Sequence, residues 1–426
     1  MRRHFRFSTL AAVSAATMLI AQGSASAGGF AVREQSATGQ GMSFAGVASG
    51  SGRLSSMFWN PATITMAPGF QSETHLSLVV PDVKIQPLPP TPTIAFGPSG
   101  DIGQDAVVPT GYYSYQFNDS LWLGLSSTAP FGLVTDPREV WSGQVYSRSS
   151  RIFTLNVNPI VGIKINDWLS IAGGPMVQYF DVRLKRAAGF LPTAPSVILE
   201  GDDFGFGFTA GVTLTPFAGT SIGIGYRSSI NQELEGTLDI PGRTIPIRAN
   251  INTPEQVTVG LSQAITPNLM LHAGFEWQNW SRLGTQAIVG PVGPVAALPL
   301  NYDDGFFYSL GLEYRATDRL TLRGGVAYEQ SPIDTEIRST RLPDNDRYWA
   351  SLGATYQWNE KLSFDVAYTF IWAKDTPIRI VPGHQDYAGL PFVADVDSNV
   401  NIISAAIRYR WDDPTVAIPA PIVRKY

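Results

Sequence analysis

The feature that most restricts the fold of this chain is a repeated stretch of about ten residues in which apolar and polar side chains alternate. A β-strand sends successive side chains to opposite faces, so each stretch reads as a strand with one apolar and one polar side. The last stretch is the clearest: Ile403, Ala405, Ile407, Tyr409 and Trp411 share one face, and Ser404, Ala406, Arg408 and Arg410 share the other. The same split recurs at Leu269, Leu271, Ala273, Phe275 and Trp277, and at Leu362, Phe364, Val366, Tyr368 and Phe370. It also appears at Phe153, Leu155, Val157, Val161 and Ile163. Four such segments alone would suit a soluble β-sandwich. Connection length separates the two possibilities.

Fourteen strands are placed near 71–81, 106–117, 120–133, 151–164, 168–183, 203–214, 220–233, 254–264, 268–281, 303–315, 320–329, 346–357, 361–373 and 399–411. Tight turns fall at Asn118-Asp119, Asn166-Asp167, Thr266-Pro267, Thr317-Asp318 and Asn359-Glu360, with a longer one at Pro216 to Gly219. The intervening connections are long and fall at the opposite end of each hairpin. An even number of strands with turns at one end and loops at the other is the pattern of an outer-membrane barrel. A sandwich has no reason to segregate them. In lipid every backbone N–H and C=O must also find a partner inside the sheet, which requires closure. The expected fold is therefore an all-β, fourteen-stranded antiparallel transmembrane barrel over 71–411. Trp122, Trp168, Trp277, Trp280, Tyr348, Trp358, Trp372 and Trp411 near strand ends are read as interfacial girdles.

The N-terminus reads as an export leader. Arg2, Arg3 and Arg6 precede an apolar run from Leu10 to Ile20 and the small-x-small site Ala25-Ser26-Ala27, so 1–27 is expected to be removed. The run is shorter than the roughly 20 residues of a spanning helix, which argues against a retained anchor. No later window is long and apolar enough for a helical span, and the composition, 44% hydrophobic and 15% charged, suits neither a disordered chain nor a helical membrane protein. The absence of cysteine removes disulfides and thiolate chemistry. A net charge of −5 offers no footprint for nucleic acid.

Residues 28–70 do not fit the strand template. They are rich in Gly, Ala and Ser and end in Phe58-Trp59-Asn60-Pro61-Ala62. A cylinder of fourteen strands has a lumen wider than side chains alone fill, so this segment is expected as an N-terminal hatch, or plug. Residues 412–426 form a tail beyond the last strand.

Several short stretches stand in order along the chain: Gly29-Phe30, Phe44-Ala45-Gly46, Asn60-Pro61-Ala62 with Ile64-Thr65-Met66, Pro130-Phe131-Gly132-Leu133, Trp141-Ser142-Gly143 and Asn156-Val157-Asn158-Pro159. Further on come Trp277 with Trp280-Ser281, Leu322-Arg323-Gly324-Gly325, and Leu342-Pro343-Asp344 with Asp346-Arg347-Tyr348-Trp349. Together they resemble the FadL/TodX family of outer-membrane transporters of long-chain fatty acids and hydrocarbons. The resemblance implies a plugged barrel in the bacterial outer membrane, generally monomeric, that takes up hydrophobic small molecules by loop capture, hatch rearrangement and lateral exit. It also implies contact with membrane lipid, lipopolysaccharide and the barrel-assembly machinery.

Passive transport requires neither cofactor nor metal, and none is expected. Four groups of residues are candidates for the path. The external loops are apolar at Ile85 to Phe96, at Ala187 to Leu199, which holds Phe190 and Leu191, and at Ala287 to Leu300; such loops either pack together or form a capture groove. Pro130, Phe131 and Gly132 interrupt the third strand, where a missing donor and a glycine predict a kink that opens the wall. In the hatch, Phe30 and Asn60, Pro61 and Ala62 either seal the lumen and move or simply pack. Arg183, Lys185 and Arg186 at the outer end of strand five suit a ligand carboxylate, lipopolysaccharide phosphates or plain solvation. Lumen-facing Arg323, Arg408 and Arg410 are expected to pair with Glu313, Glu276 or Asp365.

The rival readings differ in class. An enzyme needs converging Ser, His and acid groups, yet only His75, His272 and His384 follow the leader, none in a recognised motif. Gly205-x-Gly207 lies in a strand and not before a helix, so it is no dinucleotide site. A general polar porin would keep an open aqueous lumen, and an aromatic-hydrocarbon channel of the same family would carry neutral cargo.

Overall fold

The computed structural model describes residues 28–412, so the expected leader and all but the first residue of the tail lie outside the described residues. The chain forms one closed antiparallel sheet whose wall has fourteen strands. They are β1 (Phe70–Leu88), β2 (Ala106–Gln116), β3 (Leu121–Thr128, resuming at Gly132–Thr135), β4 (Ser149–Lys164) and β5 (Leu169–Ala187). Next come β6 (Ser196–Leu214), β7 (Thr220–Arg227 then Asn231–Ile240), β8 (Arg243–Asn252 then Gln256–Thr266), β9 (Leu269–Gln278) and β10 (Gly305–Arg315). The wall ends with β11 (Leu320–Gln330), β12 (Arg347–Gln357), β13 (Leu362–Ala373) and β14 (Phe392–Arg410). The first and last strands close the cylinder by pairing from Gln71↔Arg410 to Leu88↔Val393.

The expected turns form for a local reason. Side chains of Asn118, Asn166, Thr266, Thr317 and Asn359 accept hydrogen bonds from backbone N–H groups two or three residues on, at 2.8 to 3.3 Å. Asx and Ser/Thr turns of this kind reverse a strand within a few residues.

The polarity is that of a protein turned inside out. Leu352 is 68% and Val366 58% exposed on the outer face, whereas Ser351, Thr369, Asp365 and Ser404 are buried in the lumen. An outer aromatic row crosses adjacent strands at matched register, Phe275, Tyr308, Tyr328, Tyr348 and Trp372, with ring centroids 5.4 to 6.5 Å apart. Such rings, amphipathic and rigid, suit the membrane interface. Two members of the expected girdle belong elsewhere. Trp122 points into the lumen, where its Nε1 donates to the Ala67 carbonyl at 2.9 Å, and Trp280 is fully buried.

Strand extents also differ from expectation. β1 and β6 run well beyond the alternating core into the apolar stretches read as loops, and β14 begins at Phe392, ahead of its expected start at 399. β7 and β8 continue outward and join at Pro241-Gly242, so no long loop exists between them. Residues 285–299, also read as loop, form a hairpin of Thr285–Gly290 with Gly293–Pro299 that pairs with β8. Apolar residues there face a shared interior above the membrane band.

Residues 28–69 fill the lumen as short helical turns, Ala37–Gln40, Val47–Ser49, Arg53–Phe58 and Pro61–Met66, almost wholly buried. The wall holds them at many points. The Glu73 carboxylate accepts from the Leu54 and Ser55 N–H groups at 3.1 and 3.0 Å, and His75 Nδ1 accepts from the Ala37 N–H at 3.1 Å. Under the plug the expected arginine network forms in part: Arg323 lies 2.7 Å from Glu313 and 3.4 Å from Asp365, and Arg408 lies 3.8 Å from Glu73 and 4.0 Å from Asp365. Arg410 pairs with Asp412 instead, and Glu276 is taken by Arg33 from the plug.

Plug and wall approach to backbone contact. A Cβ added at Gly223 would collide with the Ala48 carbonyl oxygen, and one at Gly325 with the Met42 backbone. Gly223→Val is therefore expected to leave the strands paired while displacing the plug, at a cost of about 1–3 kcal/mol. The check is the temperature at which the folded band is lost on a semi-native gel, which should fall. An unchanged temperature would mean that plug and wall are not packed this closely.

Candidate functional site

Between the plug and the external loops lies an apolar cavity of about 920 Å³, counting its open mouth. Its walls come from inward positions of the outer strand segments: Phe180, Val182 and Leu184 of β5, Leu199 of β6, Leu234 of β7 and Ile251 of β8. Ile288 and Leu298 of the added hairpin close one side. Every second residue of a strand faces inward, so a run such as Phe180, Val182 and Leu184 produces a continuous greasy surface. The strand segments above the membrane band and the hairpin thus build a lined chamber.

The chamber holds few charged groups. Arg341, in the loop between β11 and β12, lines it and is half-buried, facing the chamber. Among the described residues no carboxylate forms an ion pair with it, and its Nη1 makes only long contacts of 3.4 Å to Ser150 Oγ and the Lys185 carbonyl. Burial lowers its pKa to about 10, while the charge of Asp386 acts the other way. Asp386 also lines the chamber, and burial pushes its carboxyl up to about 6 against the pull of Arg341. At neutral pH both groups are charged and sense each other without touching.

The chamber floor is a cluster of three rings. Phe30 lies 4.7 Å from Trp280 and 5.9 Å from Phe131 between centroids, and Phe131 is 6.0 Å from Trp280. Below and beside this floor are two smaller spaces. One of about 470 Å³ is bordered by Val32, Arg33, Trp59 and Arg227. The other, about 430 Å³, lies between β2 and β4 and is lined by Val107, Pro109, Ala129, Gly132 and Phe153. It exists because β3 is interrupted there. β2 and β3 pair only from Gly111↔Ser127 to Gln116↔Trp122, and the later half of β3 pairs with β4, with a single bridge from Thr135 to Gly103 on its other side.

The break is bonded to the plug. The Val32 N–H donates to the Pro130 carbonyl and the Gly132 N–H to the Phe30 carbonyl, each at 2.9 Å, and Ala31 bridges to Phe131. Across the gap Thr154 Oγ1 accepts from the Phe131 N–H at 2.9 Å and donates to its carbonyl at 2.7 Å. Pro130, Phe131 and Gly132 thus meet Phe30 in one place.

The other expected site residues lie elsewhere. Asn60 is wholly buried and pins the plug to β6: its Nδ2 donates to the Ala48 and Val212 carbonyls at 2.7 and 3.0 Å, and its Oδ1 caps the turn through the Ala62 N–H at 3.0 Å. Pro61 starts that turn, where a missing N–H is harmless. Arg183 and Lys185 alternate with the chamber-lining Val182 and Leu184, and so project from the opposite face of β5. They lie 3.3 Å from Glu200 and 2.7 Å from Glu139, and Arg186 is exposed. Phe190 packs against the loop core around Trp141 and Phe392, and Leu191 is exposed at the tip of its loop. Arg341 and Asp386 escaped the sequence analysis because they sit in irregular loops; the one available signal was an arginine directly before Leu342-Pro343-Asp344.

This architecture has known counterparts. A family model described as outer membrane protein transport protein (OMPP1/FadL/TodX) matches residues 18–411. The long-chain fatty acid transport protein of Salmonella typhi is 26% identical over 88% of this chain and 94% of its own length. Outer membrane protein P1 of Haemophilus influenzae is 25% identical over 86% and 91%. Among solved structures, a Pseudomonas aeruginosa FadL homologue superposes with a TM-score of 0.81 at 24% identity, covering 91% of this chain and all of that one. The P. putida toluene transporter TodX superposes with a TM-score of 0.69 at 18% identity, covering 89% and 99%. With a family model spanning the plug and every strand of the barrel, the chain belongs to the OMPP1/FadL/TodX family of bacterial outer-membrane transport proteins.

Proposed function

We propose that this barrel carries long-chain fatty acids across the outer membrane, taking them into the apolar chamber from the loops and releasing them sideways through the break in β3. The coarser function, transport of hydrophobic substrates, accords with the family. One observation carries the finer reading: a guanidinium without a contact ion-pair partner set into a mainly apolar chamber. A neutral hydrocarbon gains nothing from Arg341, and burying a lone charge is costly. A fatty acid supplies the missing carboxylate at one end and fills the apolar walls with the other. The polar-porin reading is disfavoured by a lumen packed with plug residues.

In this scheme Leu191, with Phe190 behind it, offers the first apolar contact, Arg183 and Lys185 face lipopolysaccharide phosphates, and Arg186 is close enough to Arg341 for its charge to act there. Asn60, Pro61 and Ala62 keep the plug body fixed. Movement is confined to residues 28–32, because shifting Phe30 opens the ring cluster and withdraws the bonds that cover Pro130 to Gly132. Chamber and wall gap then join.

A charge-assisted hydrogen bond contributes about 1.5–3 kcal/mol. Arg341→Met should therefore weaken palmitate binding roughly tenfold or more while leaving toluene binding unchanged, as measured by calorimetry on detergent-purified protein. Equal loss for both ligands, or none for palmitate, contradicts the fatty-acid assignment and favours the hydrocarbon reading.

The Asp386 carboxylate competes with the ligand for Arg341 when ionised. An alkyl sulfonate keeps its charge at all relevant pH values, so its affinity should rise as pH falls through about 6, where Asp386 takes up a proton. Asp386→Asn should abolish that dependence. Affinity that rises with pH would reverse the assigned competition.

Exit through the wall is tested by straightening β3. Pro130→Val combined with Gly132→Val should preserve folding and chamber binding but block uptake of labelled oleate into cells. Full uptake by the straightened variant rules the lateral path out.

A further inference from the structure

The start of the plug meets a cluster of buried carboxyl groups. Glu329 of β11 is 2% exposed and points into the lumen. Its Oε1 accepts a hydrogen bond from the Gly28 nitrogen at 2.8 Å and lies 3.5 Å from Arg33 Nη2, and its Oε2 accepts from Trp349 Nε1 at 3.2 Å. Arg33 is shared with Glu276, 2.9 Å away, and lies over the Phe307 ring at 3.7 Å. Next to them Asp344 accepts from the Gly29 N–H at 3.0 Å and from Ser331 Oγ at 2.7 Å, and pairs with Arg347. Glu34, also buried, has its carboxyl pushed up to about 7 by that burial.

Glu329 thus shares Arg33 with Glu276, while Asp344 pairs with Arg347 and senses Arg338, in a buried space where a carboxylate short of positive charge is costly. A peptide N–H at Gly28 offers one hydrogen bond and no charge. An α-ammonium at the same nitrogen offers three donors and a positive charge, 2.8 Å from a carboxylate oxygen. The fit is close: even a Cβ on Gly28 would lie 3.1 Å from that oxygen.

We propose that cleavage after Ala27 makes the Gly28 α-ammonium a working group of the transporter, a buried ion pair with Glu329 that latches residues 28–32 onto Pro130 to Gly132. The proposal rests on reading residues 1–27 as a cleaved leader. Processing then does more than free the chain: it creates the charge that closes the wall gap, and the latch forms only in the mature protein. Glu329 and the new terminus act as positioning groups for the moving part of the plug.

The test uses mature protein purified from outer membranes. Intact mass fixes the N-terminus, and timed acetylation by an N-hydroxysuccinimide ester, read by peptide mass spectrometry, follows the Gly28 amine, with exposed Lys84 as the internal reference. The folded amine should react at least tenfold more slowly than in unfolded protein. Its labelling profile should give a pKa above the ordinary value of about 8, since an ion pair raises it and burial alone lowers it. Glu329→Gln should restore fast labelling without changing the rate at Lys84. A folded wild-type amine that labels as fast as the unfolded one, a lowered pKa, or protection that survives Glu329→Gln would overturn the pair. A mass showing that the chain starts elsewhere than Gly28 would overturn the leader reading and the pair with it.

Discussion

Lipid offers no hydrogen bonds, and the rest of this structure follows from that. A sheet in the membrane must close, which β1 and β14 accomplish by pairing along almost their whole length. It must also cover any place where the ladder fails. β3 fails at Ala129 to Phe131, and the missing partners come from inside the barrel: residues 30–32 of the plug on one side and Thr154 of β4 on the other. In the proposed mechanism the weakness in the sheet and the segment that covers it form one device, because a gap sealed by a segment that moves can open and reseal.

The same rule decides where charge can reside. Outer-face positions of the membrane band are apolar or aromatic, and the ionised side chains inside are paired beneath the plug, as Arg323 is with Glu313 and Asp365. Arg341 departs from this. It sits above the band in a chamber lined by Phe180, Leu199 and Ile251, with Asp386 in electrostatic range but not in contact. On the proposed reading a cation held this way receives an anionic ligand that brings its own apolar tail. The ring cluster of Phe30, Phe131 and Trp280 lies between that chamber and the wall gap, and the proposed mechanism has a filled chamber shift Phe30.

Much of the barrel was legible in the sequence because its physics is local. Alternation at Ile403 to Trp411 marks one face for lipid, and residues such as Asn118, Asn166 and Asn359 write tight turns into the chain. The interruption at Pro130 was legible for the same reason. Trp122 and Trp280 misled, since a tryptophan near a strand end suits a girdle and a plug interface equally well. The outward continuation of β7 and β8 was missed because Leu234 to Ile251 contains Pro241-Gly242 and many polar residues, which read as loop. Arg341 and Asp386 were invisible for a deeper reason: their place is defined by a chamber assembled from elements far apart in sequence, and no spacing rule brings them together. Arg183 and Lys185 looked suitable by position along β5, yet they lie on the face away from the chamber lining.

The central claim is that the lumen is closed to water while hydrophobic cargo has a separate way out through the wall. Planar-bilayer recording of the purified protein tests this most directly. A plug bonded to the wall through Glu73, His75 and Asn60 predicts an inserted protein with at most brief, small current steps, whether or not fatty acid is present. Large, steady ohmic conductance from correctly folded protein would contradict the account and return the chain to the class of open aqueous pores.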